Sequence, residues 1–178
     1  MKVLVLLGSP HKRGSSRMLA DHFIKGVKEN GHTVDVIDIA HSTVHPCLGC
    51  DYCGMDGDCV QKDDMYHIKE MIMNHDLLVF VTPLYYFGMS AQLKLMIDRF
   101  YSFNGALMNA HKKSVLLSVA YEQSNEAMSD LYHHYLTICR YLHFKNLGSV
   151  LGLGCGTVSM TQNSIYPQKA YELGLSIK

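Results

Sequence analysis

At 178 residues the chain is one domain of ordinary size, long enough to bury a substantial core without disulfides or a structural metal. Sixteen Lys and Arg balance sixteen Asp and Glu, which sets aside nucleic acid or an anionic membrane as a partner drawn by overall charge. Small molecules are the expected ligands, and with 48% apolar residues but no run approaching the about eighteen of a membrane span, the cytosol is the expected compartment.

In chain order, residues 3–7 form a continuous apolar run closed by Gly8, the pattern of a strand buried on both faces. Met18, Leu19, Phe23, Ile24 and Val27 recur at helical spacing over 16–30, and Gly31 stands where a helix-terminating glycine belongs. Residues 33–39 read as a second strand, Asp63 or Asp64 as the cap of a helix running to about residue 73, and residues 77–81 as a third strand. A helix over 90–103, a strand over 114–120, a long helix over 125–142, a strand over 149–153 and a short closing helix over 167–173 complete the alternation. Five strands separated by helices predict a single α/β domain over 1–178, a three-layer sandwich on a mostly parallel sheet. Such sheets bind ligands at the carboxyl ends of their strands, so the loops 8–15, 40–63, 82–89 and 121–124 are expected along one edge.

Three of those loops carry chemistry. Residues 8–16 combine Ser9, Ser15 and Ser16 with His11, Lys12 and Arg13 at a helix N-terminus, the ingredients of an anion site. The loop lacks the Gly-Lys-Ser/Thr ending of a Walker A motif and the Gly-x-Gly-x-x-Gly of a Rossmann turn, so an ATPase or a Rossmann dehydrogenase is disfavoured. The loop of Pro83, Leu84, Tyr85, Tyr86, Phe87 and Gly88 sets three consecutive aromatics where polar residues are usual. A flat ligand would explain them, stacked on the aromatics, its edge hydrogen-bonded by loop N–H groups and Gly88 allowing close approach; packing beneath the loop or in a subunit interface is the alternative.

The third loop, at about 46–60, holds Cys47, Cys50, Cys53 and Cys59 at x2, x2 and x5 intervals. Four thiolates so spaced suit an iron-sulfur cluster; free redox thiols, zinc or disulfides are the other readings. The eleven histidines are scattered along the chain, and Cys139 and Cys155 read as small buried hydrophobes. Gly152, Gly154 and Gly156 imply a close backbone approach to an unnamed neighbour.

Taken together, Gly8-Ser9-Pro10 with Gly14-Ser15-Ser16, the segments 46–53 and 59–65, and the stretch from Thr82 to Tyr86 continuing through 93–99 resemble the flavodoxin-like NAD(P)H-dependent FMN reductase family. Within it they are most similar to the iron-sulfur flavoprotein branch, in order over about residues 1–120. The resemblance implies a flavodoxin-like fold and FMN, its phosphate on the loop of Ser9, His11, Ser15 and Ser16; the residues themselves offer Lys12 or Arg13 to supply charge beside it. His11 stands where the family often has Arg. It implies that Pro83, Leu84, Tyr85, Tyr86 and Gly88 lie along the flavin ring, and that Cys47, Cys50, Cys53 and Cys59 bind a 4Fe-4S cluster near it. It implies a helix over 93–99 that helps form a homodimer or homotetramer, with Asp98 and Arg99 as a structural ion pair.

The expected function is an FMN-dependent oxidoreductase that moves electrons between NAD(P)H or a reduced carrier and a small-molecule or protein acceptor. The alternatives are an iron-sulfur flavoprotein electron carrier, a quinone or nitro-compound reductase, and a non-enzymatic redox sensor of the same fold. Hydride transfer needs no side-chain acid or base, so no catalytic residue is named.

Overall fold

The apolar runs become strands β1 (Lys2–Leu7), β2 (Thr33–Asp38), β3 (Leu77–Pro83), β4 (Lys113–Val119) and β5 (Lys145–Gly152) in the computed structural model, which describes all 178 residues. All neighbours pair in parallel, in the order β2-β1-β3-β4-β5. The chain therefore steps outward from β1 to β2, then returns to the other side of β1, and the crevice between β1 and β3 is the switch point.

The helices are α1 (Ser15–Glu29), α2 (Met65–Asn74), α3 (Ala91–Asp98), α4 (Asn104–Asn109), α5 (Ser129–Tyr141), α6 (Val158–Gln162) and α7 (Tyr166–Ser176). They cover both faces of the sheet, which is why its strands read as unbroken apolar runs. Val3, Val5, Val79, Val81, Val115 and Leu117 pack with Leu19, Phe23 and Val27 of α1 and Ala170 of α7. Leu4, Leu6, Leu78, Phe80 and Leu116 face the other way, onto Ile68 and Ile72 of α2, Leu93 and Met96 of α3, and Leu131 and Tyr135 of α5. The result is a flavodoxin-like three-layer α/β sandwich, as expected from the sequence, and no helix is long and apolar enough to cross a membrane.

Gly31 ends α1 with φ +80°, the left-handed conformation that glycine adopts freely. At the far edge of the sheet, Lys112 is buried and donates to the carbonyls of Met73 (3.0 Å) and His75 (2.6 Å), capping α2 with a cation. Burial pushes its pKa down, and Asp76 opposes the shift. His75 is buried with both ring nitrogens engaged, by Met71 O and Asp35, as a satisfied polar residue.

Four boundaries differ from expectation. The helix expected over 90–103 stops at Asp98 and tightens into a 3₁₀ turn, Arg99–Phe103, before α4. That turn rotates Arg99 inward, so Arg99 pairs with Asp63 and not with Asp98, which pairs with Lys94 instead. The helix expected from residue 125 likewise begins as a 3₁₀ turn, Asn125–Met128, and β5 starts four residues earlier than expected, at Lys145. The closing helix is longer, with Pro167 in its first turn, where its missing N–H costs nothing.

Candidate functional site

A cavity of about 460 Å³ opens at the carboxyl ends of β1, β3, β4 and β5. Ser9, His11, Ser15 and Ser16 line one end of it, and Pro83, Leu84 and Tyr85 line another part. The structure thus brings two separately read loops onto one site. Gly14 is the N-cap of α1, no side chain caps the helix, and no acidic residue sits in its first turn. The uncapped N–H groups beside Ser15 and Ser16 and the positive helix end form a cradle for an anion. Arg13 adds a cation to the wall, whereas Lys12 lies outside it, on a neighbouring recess shared with Arg17 and Asp38.

The two loops are tied together through the base of the cavity. Ser90 Oγ donates to Gly8 O (2.6 Å), and Thr82 Oγ1 accepts from Ser90 N (2.9 Å). Ser90 also caps α3, which explains why that helix begins directly behind the aromatic loop.

Two further segments line the cavity, Val119–Tyr121 after β4, which leads into the loop expected on this edge, and Cys155–Val158 after β5, which the motifs had not assigned to it. Cys155 N donates to Ala120 O (2.6 Å) and Gly154 N to Glu122 O (2.8 Å), so the two segments move as one. A Cβ on Gly156 would stand 2.2 Å from Tyr121 Cδ2, so only glycine there lets the ring keep its place. Tyr121 is the neighbour that the glycine-rich stretch implied, and Cys155, though fully buried, reaches the cavity wall.

The aromatic loop is a tight hairpin. Tyr85 N donates to Gly88 O (3.1 Å) and Gly88 N to Tyr85 O (3.0 Å), with Tyr86 and Phe87 at its tip at φ 46° and 62°. Such primed turns favour Asn and Gly, so two bulky aromatics there hold strain of about 1 kcal/mol each. Their rings do not pack beneath the loop: Tyr86 is fully exposed and Phe87 is 60% exposed. Because the turn aims Tyr86 outward and closes Gly88 onto Tyr85, neither joins the cavity wall, unlike Pro83, Leu84 and Tyr85. Phe87→Gly is expected to raise thermal stability by up to about 1 kcal/mol, since it relieves the turn and uncovers little. A loss of more than that amount would mean the ring is packed.

The cysteine loop is pinned along its length to the segment that follows α3. At its neck, Asp63 Oδ2 accepts from His45 N (2.9 Å) and Arg99 Nη1 (2.6 Å), and Oδ1 accepts from Arg99 Nη2 (3.2 Å) and Met65 N (3.1 Å). Arg99 Nη1 donates also to His45 O (2.9 Å). The paired side chains are 2% and 1% exposed. Burial works against the Asp63 charge, yet the hydrogen bonds from Arg99, His45 and Met65 more than offset it and hold the carboxyl below its usual range. Burial likewise works against Arg99, and Asp63, then Cys59, more than offset it and raise its pKa. Asp63 or Asp64 was expected to cap α2; Asp64 takes the N-cap position, but its side chain accepts from Thr43 N (2.7 Å), while Asp63 meets the first helical N–H.

Farther along, Tyr101 Oη donates to Asp51 (2.6 Å), Asn104 N to Met55 O (2.7 Å), and Ala106 N to Asp56 Oδ1 (2.9 Å). The Tyr101 hydroxyl is raised in pKa by Asp51 first, with burial and the nearby Cys53 and Cys47 adding to it. All four thiols are free, Cys47 and Cys50 exposed, Cys53 and Cys59 half-buried. No three Cys, His, Asp or Glu side chains gather as ligands of a single metal ion, as a tetrahedral zinc site would need. Four thiols on one loop are the ligand type of an iron-sulfur cluster, but the structure does not gather them.

The comparison with known proteins is decided by the match of residues 1–157 to the family described as NADPH-dependent FMN reductase. The chain belongs to that family. It is 35% identical over 99 residues to an iron-sulfur flavoprotein of Archaeoglobus fulgidus, covering 56% of this chain and 45% of that protein. An iron-sulfur flavoprotein of Methanocaldococcus jannaschii is 33% identical over 99 residues, covering 56% of this chain and 51% of that protein. The chain thus spans about half the length of the curated relatives it matches. Among solved structures, the NAD(P)H:quinone oxidoreductase from Methanothermobacter marburgensis superposes with a TM-score of 0.78 at 22% identity, over 98% of this chain and 94% of that one. An azoreductase from Bacillus anthracis gives 0.74 at 17% identity, over 99% and 100% of the two chains. At these identities the structures bear on the fold, which this FMN reductase family member shares.

Proposed function

We propose that the protein holds FMN in the 460 Å³ cavity and passes electrons between NAD(P)H, or a reduced carrier, and an acceptor. The observation that carries this is the uncapped, acid-free N-terminus of α1 at one end of a cavity whose other walls are Pro83–Tyr85 and Tyr121, in a chain of this family. When bound, FMN supplies the hydride and electron chemistry, and the chain supplies position and environment.

The amides at Ser15 and Ser16, with His11 and Arg13, take the phosphate. Leu84, Val119 and Val158 give the cavity an apolar wall that keeps water from the ring. Leu84 N is engaged by Val119 O (2.8 Å), and Tyr85 N and Gly88 N bond within the hairpin. Within the hairpin the N–H groups of Tyr86 and Phe87 make no backbone hydrogen bond, and Gly88 closes the turn that holds Tyr85 against the cavity. Lys12, outside the wall, contributes field rather than contact.

A second reading, favoured by the four free thiols and by the names of the relatives, is that Cys47, Cys50, Cys53 and Cys59 hold a 4Fe-4S cluster, which would make the protein a one-electron carrier. A homodimer or homotetramer built on the exposed side of α3, around Lys94 and Asp98, is the assembly we expect; sedimentation measures it. The deciding experiment is the visible spectrum of protein purified without oxygen, with flavin, iron, acid-labile sulfide and NAD(P)H oxidation assayed on one sample. A colourless protein that binds no added FMN overturns the proposal. Flavin without iron leaves an FMN reductase with free cysteines.

A further inference from the structure

Beside the anion cradle, along the first two turns of α1, lies a second recess of about 450 Å³. Lys12, Arg13, Arg17, Asp21 and His22 line it, and it meets the cavity proposed for FMN at Arg13 and Gly14, which line both. Three permanent cations stand there against one carboxylate, in a chain whose charges otherwise balance. Arg17 Nε donates to Asp21 Oδ1 (2.7 Å), which steadies the guanidinium and leaves both Nη groups unengaged. No ion pair takes Lys12 or Arg13. The acid-free first turn of α1 adds the positive end of its dipole. Met18 is the one apolar residue in the wall, so the recess suits an anion and not an apolar ring.

We infer that this recess takes the ribose 2′-phosphate of NADPH, with Arg17 as its principal ligand, and so selects NADPH over NADH. The inference rests on the FMN reading of the adjoining cavity and deepens it by naming the electron donor. A phosphate monoester carries a charge of about −1.5 to −2 at neutral pH and three strong acceptor oxygens, which match the surplus of positive charge. The free Nη groups of Arg17 offer a planar pair of donors to two of those oxygens. An arginine beside the 2′-phosphate is a general means of choosing NADP over NAD. NADH carries a neutral hydroxyl at that position and gains nothing from the cations. A donor whose nicotinamide meets the flavin runs its adenosine end away from the ring, and the recess continues the cavity on the side of the phosphate loop.

The test measures kcat and KM for NADPH and for NADH, with ferricyanide as acceptor, on FMN-loaded wild type, Arg17→Gln and Arg17→Lys. The FMN content of each reports on the cavity. Wild type is expected to show a KM for NADPH about tenfold or more below that for NADH, the scale of one charge-assisted contact. Arg17→Gln is expected to raise the KM for NADPH by about tenfold, with kcat, FMN content and the KM for NADH within about twofold of wild type. Arg17→Lys, which keeps the charge but loses the planar pair of donors, is expected to lie between. Added salt should narrow the preference of wild type more than that of Arg17→Gln, because exposed charges are screened. Equal KM values for the two dinucleotides in wild type, or an equal rise for both in Arg17→Gln, overturn the inference and leave the FMN reading standing. A wild type that holds FMN yet oxidises neither dinucleotide overturns the inference together with NAD(P)H as donor, and one that holds no FMN overturns the cavity reading beneath both.

Discussion

Asp63→Ala is expected to cost about 3–5 kcal/mol of stability, measured by chemical denaturation of otherwise identical protein. The substitution leaves the Arg99 guanidinium buried without its carboxylate, and it releases His45 N and Met65 N at the neck of the cysteine loop. Replacing both partners by apolar residues, Asp63→Leu with Arg99→Met, is expected to recover most of that loss, because the expense lies in the stranded charge rather than in the absent pair. A single-variant loss below about 1 kcal/mol would show that the neck is wetter than its exposure indicates. The pH dependence has a definite sign. The Asp63 carboxyl is held below its ordinary value of about 4, so its contribution is complete above that value and is lost as pH falls through the lowered one. The Asp63→Ala variant should therefore lie closest to wild type in acid and furthest from it near neutrality.

Gly14→Asp is expected to weaken FMN binding by about 100-fold or more while leaving the fold intact. Gly14 has φ −89° and ψ −178°, which any residue adopts, and aspartate is a favoured N-cap. A new Cβ would come to 3.0 Å from His11 Cβ, a contact that an exposed loop residue relieves by a small shift. The carboxylate would cap α1 from within and occupy the cradle proposed for the phosphate, and like charges so placed oppose each other by several kcal/mol. Riboflavin, which has no phosphate, is the control: its affinity should change by less than about threefold in a fluorescence titration. Equal losses for both flavins would move the phosphate elsewhere.

The order of strands and helices was legible because both faces of the sheet are covered, so each strand announces itself as a bare apolar run. That the loop from Ser9 to Ser16 and the start of the aromatic loop would line one edge was legible for a related reason, since residue types matter there at fixed distances from a strand end. Arg99 was not. Its neighbour in sequence, Asp98, looked like its partner, and only the change from α3 to a 3₁₀ turn carries the side chain inward to Asp63, which lies on another element. The contribution of Cys155–Val158 was hidden because it depends on contacts between the β4 and β5 loops, which no local spacing encodes. The triplet Gly152, Gly154 and Gly156 was the available signal, and it pointed to a close approach without naming Tyr121. The direction of the Tyr86 ring was hidden for another reason. An aromatic side chain draws notice in a sequence, whereas the turn that aims it at solvent is a property of the backbone.

The neck of the cysteine loop closes where Asp64 N donates to Thr43 O (3.0 Å) and Thr43 N to Asp64 Oδ2 (2.7 Å), just outside the Arg99 clasp. Two chain ends held that close make the intervening segment a cassette. The part between His45 and Asp63 can be exchanged for a graft of different length, provided those two residues stay to hold Arg99, because loop-closure entropy grows only slowly with length. A scaffold arranged in this way can change the thiols it carries on that loop without having to redesign the cavity beside it.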